Sequence, residues 1–85
     1  MDAEVIARNV ELLTFLAQFG SKPRHLPGDW YDRIVQAAED RLVEYVVLEW
    51  GNEQLRQDPR RIVVTLTVRG RGLSSTLIRK SPRKG

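Results

Sequence analysis

Arginine is the side chain whose number and placement in this sequence could do chemistry. Nine cations follow position 55: Arg56, Arg60, Arg61, Arg69, Arg71, Arg79, Lys80, Arg83 and Lys84, against Asp58 alone. Seven of the nine are arginine, whose planar fork can meet two phosphate oxygens at once. Residues 56–85 thus carry +8 and residues 1–55 carry −5, although the whole chain is only +3. The chemistry this points to is recognition of a phosphate backbone, with Arg60, Arg61, Arg69, Arg71, Arg79, Lys80, Arg83 and Lys84 as the contacts.

Side chains of catalysis are sparse. The single histidine, His25, lies between Pro23 and Pro27, where a solvated ring is the ordinary outcome. There is no cysteine, hence no disulfide and no thiolate metal site. No pair of histidines has metal-ligand spacing, and no glycine-rich loop follows a strand to hold a nucleotide. Ser74, Ser75 and Thr76 have no neighbouring base in the sequence. We expect a protein that is not an enzyme, with no catalytic residue, no metal and no cofactor.

All six aromatic residues precede the basic third. Base stacking is therefore absent where the cations are, and a duplex bound with little sequence specificity is the expected ligand. Trp30, Tyr31, Tyr45 and Trp50 are interface candidates, because aromatic side chains concentrate at protein contacts. The alternative reading is a protein-binding adaptor or inhibitor, which a homo-oligomer would suit, whose basic hairpin meets an acidic protein surface. Two fragments add to the first reading. Ser81-Pro82-Arg83-Lys84 resembles the Ser-Pro-basic-basic tails of some DNA-packaging proteins. Arg69-Gly70-Arg71 is similar to the centre of the AT-hook, but Val68 and Gly72 stand where that motif has prolines.

These residues need elements to position them. The chain has 85 residues, is 41% hydrophobic, and includes 23 Leu, Ile and Val, enough for one small core. Residues 1–80 read as a single compact domain and 81–85 as a flexible basic tail. No run approaches a membrane span, and the acidic start does not fit a secretory signal, so a cytoplasmic protein is expected. Val5, Ile6, Val10, Leu13, Leu16 and Ala17 recur at helical spacing, with Leu12, Phe15 and Phe19 widening the stripe, and predict a helix over 3–19. Residues 20–28 read as a linker rich in proline and glycine. Asp29 suits an N-cap, and a second helix is expected over 29–50, with a short third helix to 57 as an extension. Residues 42–50 are rich in β-branched and aromatic types, and the alternative is that they form a third strand. Gly70-Arg71 suits a two-residue turn, and the pattern around it predicts an antiparallel hairpin of 61–69 with 72–79. The class is α+β: two N-terminal helices packed on a C-terminal hairpin.

Overall fold

The computed structural model describes residues 2–19 and 22–80, apart from the side chains of Asp2, Ile78, Arg79 and Lys80. It is α+β, with three helices and a three-stranded antiparallel sheet. In chain order the elements are helix α1 (Asp2–Ala17), strand β1 (Arg24–Pro27), a 3-10 turn (Gly28–Trp30), helix α2 (Tyr31–Glu39), strands β2 (Val43–Asn52) and β3 (Gln57–Leu66), and helix α3 (Val68–Lys80). The sheet order is β1-β3-β2, so the last strand in the sequence is the central one.

α1 forms where periodicity places it, and its buried stripe departs from the expected one at positions 9 and 10. Val5, Asn9, Leu12, Leu13 and Leu16 face inward, while Val10 is exposed. The buried Asn9 donates its amide N–H groups to the Val5 carbonyl (2.8 Å) and to Asp40 (2.7 Å), while its Oδ1 has no partner among the described residues. The expected linker contains β1, whose Leu26 is buried opposite Ile62. Asp29 makes no capping bond; the 3-10 turn runs straight into α2.

The second helix is much shorter than 29–50. It ends at Glu39, and Arg41 takes a left-handed conformation (φ 64°). There the Arg41 N–H donates to Ala38 O (2.9 Å) and the Leu42 N–H to Ala37 O (2.9 Å), closing the last turn. Residues 43–52 are then strand, as the alternative reading had it, and no helix extends to 57; residues 53–56 form the turn of the β2–β3 hairpin. The expected 61–69/72–79 hairpin is absent. Residues 57–66 are β3, and residues 68–80 are α3, because Gly70, Leu73, Ser74 and Leu77 repeat at helical rather than strand spacing and turn toward the interior. Gly70 is needed for close approach: a Cβ there would run into the Leu42 carbonyl.

Among the described residues, helices cover one face of the sheet. Ile62, Val64 and Leu66 of β3 are buried, whereas Arg61 is exposed and Val63 and Thr65 are half-buried. Core residues of α1, α2 and the sheet form one cluster, with Leu12, Leu13, Ile34, Leu42, Ile62 and Val64 fully enclosed. The β2–β3 register shifts between Val47 and Trp50, leaving Leu48 without an opposite residue. Beyond that point the hairpin projects: residues 51–58 are all exposed, and the molecule measures 49 × 27 × 19 Å.

Candidate nucleic-acid interface

The structure divides the basic third into two groups. Arg60 and Arg61 lie on β3 toward the projecting end. Both are exposed, with Arg60 paired to Asp58 (2.9 Å) and Arg61 to Glu49 (3.8 Å). Counting Glu44, Glu49, Glu53 and Asp58 against Arg56, Arg60 and Arg61, residues 43–66 carry −1. Hence the hairpin that exists is not basic. Arg61 lies five residue steps, about 17 Å, from Leu66 along the strand.

The other group belongs to α3. Arg69 and Arg71 lie in its first turn and Arg79 and Lys80 in its last, with no acidic residue between, so α3 carries +4. Arg83 and Lys84 lie outside the described residues, as do the side chains of Arg79 and Lys80. A helix that begins with cations instead of carboxylates runs against its own dipole, whose positive end it reinforces.

Thr67 sets the start of α3. It is the single residue between β3 and α3, and its backbone N–H donates to Leu42 O (2.9 Å). Its hydroxyl donates to Arg41 O (2.7 Å) and accepts from the Gly70 N–H (3.0 Å), an N-cap that also ties the helix to the end of α2. Arg69 Nε donates to Asp40 O (3.2 Å), which holds that side chain against the same corner. Arg71 is exposed, Gly72 has open space around it, and Ser75 is exposed. The start of α3 thus presents a low-relief exposed surface at Gly72 and Ser75 with Arg71 projecting beside it.

Asp40 organises the corner beneath. Arg8 donates to both its oxygens (2.7 and 3.0 Å), and Asn9 (2.7 Å) and Gln36 (3.2 Å) donate to Oδ2. The Arg8 guanidinium, helped by the two amides and opposed by burial, holds the Asp40 carboxyl well below the usual carboxylate range. Nothing in the sequence singles out Asp40, since Arg8 and Asn9 reach it from 32 and 31 residues away and only Gln36 is a near neighbour.

The four aromatic candidates separate. Tyr31 meets Tyr45 and Trp50 edge-on, each pair with ring centroids 6.2 Å apart. Burial, with Tyr31 alongside, pushes the Tyr45 hydroxyl up in pKa. Trp30 turns the other way, against Phe15 (5.2 Å), with the Arg33 guanidinium 5.3 Å from its ring centre. A cleft of about 530 Å³ opens beside Tyr31, lined also by Gly28, Asp29, Asp32, Asp58 and Arg60. Among the described residues, no three His, Cys, Asp or Glu side chains stand where they could hold a metal ion, and no helix is long and apolar enough to cross a membrane. His25 is exposed on β1. Compared with known proteins, the chain matches no family model, no curated protein and no solved structure.

Proposed function

We propose that this protein is a non-enzymatic nucleic-acid-binding or regulatory protein that contacts the phosphate backbone of a duplex through α3 and the basic residues following it. One observation carries the reading: α3 has four cations and no carboxylate, and begins with Arg69 and Arg71 at the positive end of its own dipole. The contact surface moves from the expected hairpin tip to the helix. Arg60 and Arg61, each beside a carboxylate, become secondary. With no aromatic residue in α3, binding goes through charge and hydrogen bonds to phosphate and reads little sequence.

Titration of a mixed-sequence duplex at several salt concentrations tests this. Affinity should fall with salt at a log–log slope of about −0.9 per phosphate neutralised. Arg71→Glu should weaken binding and reduce that slope by about 1 or more, with a thermal melt unchanged or slightly raised, because a carboxylate suits the helix N-terminus. No binding at about 50 mM salt, where backbone contacts are strong, overturns the reading. If polyglutamate binds as tightly as duplex and is equally sensitive to Arg71→Glu, the ligand is an acidic protein surface instead.

A further inference from the structure

We infer that the free edge of β2 pairs with the same edge of a second copy, antiparallel, about a two-fold axis at Val46. The two edges of the sheet differ. β1 has four residues and ends in Pro27, which has no N–H to give, so that edge is blunted. β2 has ten residues and contains no proline, lysine or arginine. Its register with β3 is regular from Val43 to Val47 and shifts only between Val47 and Trp50, and among the described residues β3 is its one strand neighbour. Its outward N–H and C=O groups form a row that another strand can satisfy.

The side chains specify what that strand is. Val46 is 61% exposed and Leu48 46%, unusual for large apolar groups on an edge with no guarding cation. On the helix-covered face, Tyr45 and Val47 are only half-buried, so this edge is incompletely covered there too. Opposed residues in a ladder share a face, which restricts the register. An axis between Val46 and Val47 would set residues of opposite faces against each other, and Glu44 against Glu49. An axis on Val46 sets Val46 against its copy, Tyr45 against Val47 and Glu44 against Leu48. Apolar groups then meet at the centre and no carboxylate faces another. The edge is complementary to itself, and the occupant is a second copy of this chain.

Sedimentation and amide exchange on the whole chain test this. The wild type should sediment at twice the chain mass, and exchange of backbone amides in 44–48 should slow as protein concentration rises. Val46→Glu and Val46→Lys each place like charges face to face on the axis and should weaken the dimer at least about tenfold. Because Val46 is exposed, both should retain the wild-type circular dichroism. Mixed in equal amounts, the two variants should form a heterodimer. A wild type that remains monomeric, or a dimer indifferent to either charge, overturns the inference. Amide protection independent of concentration does so without recourse to any variant.

Discussion

Arg41 shows how much one residue can conceal. A helix that ends in a left-handed residue normally places glycine there, and glycine is the signal a reader looks for. Here the position is arginine, so α2 has no visible stop and its apolar spacing runs into β2. Arg41→Gly should relieve the left-handed strain, for a gain of up to about 1 kcal/mol in thermal unfolding, since part is returned to unfolded-state entropy. Asp40, its neighbour, makes stability depend on pH. Its folded carboxyl titrates below its unfolded value, so the stabilisation is complete above about pH 5 and is lost as pH falls through the folded value. Asp40→Asn should cost about 1–3 kcal/mol at neutral pH and flatten the acid side of the stability profile, so that both proteins converge in acid. Denaturant melts from pH 7 down to about pH 2 would reveal this; parallel curves would contradict it.

Among the elements, legibility followed period and length. α1 could be read because sixteen residues keep one period, although Asn9 rather than Val10 fills its inner face through a bond to a distant Asp40. β2 could be read only as an alternative: its β-branched and aromatic content is right for a strand, yet residues 42–50 also keep helical spacing. α3 is hidden in the sequence because alternation over 62–79 sorts cleanly into two faces around Gly70-Arg71. Gly70 instead permits α3 to touch the Leu42 backbone, a contact 28 positions away that no local pattern announces. The candidate phosphate contacts were therefore legible as residues and not as a surface. The two glycines of α3 should respond in opposite senses. Gly70→Ala drives a methyl into the Leu42 carbonyl and should cost about 1–3 kcal/mol. Gly72→Ala meets nothing within 4 Å and should raise stability by about 0.5–1 kcal/mol as an ordinary helix-interior exchange. Equal effects would mean that the contact at Gly70 is unimportant.

At the scale of the molecule, the −5/+8 division survives as a fact of sequence but not as two separate bodies. The radius of gyration, 13.6 Å, exceeds the roughly 12 Å expected for a compact chain of this length, and the projecting end of the hairpin contributes to the excess. That end is close to neutral, while the concentrated positive charge lies on a helix docked against acidic α1 and held at its start by the α2 corner. The central position of β3 bears on how the chain acquires its shape. Neither β1 nor β2 can pair with the other, since each borders β3 alone. A fragment ending at residue 56 should therefore melt without a cooperative transition, because Ile62 and Val64 are missing from its core. During synthesis, residues 1–56 emerge before any strand finds its neighbour. Throughout that interval the apolar strand 43–52 is exposed on both sides, and a neighbouring nascent chain can reach it before β3 does.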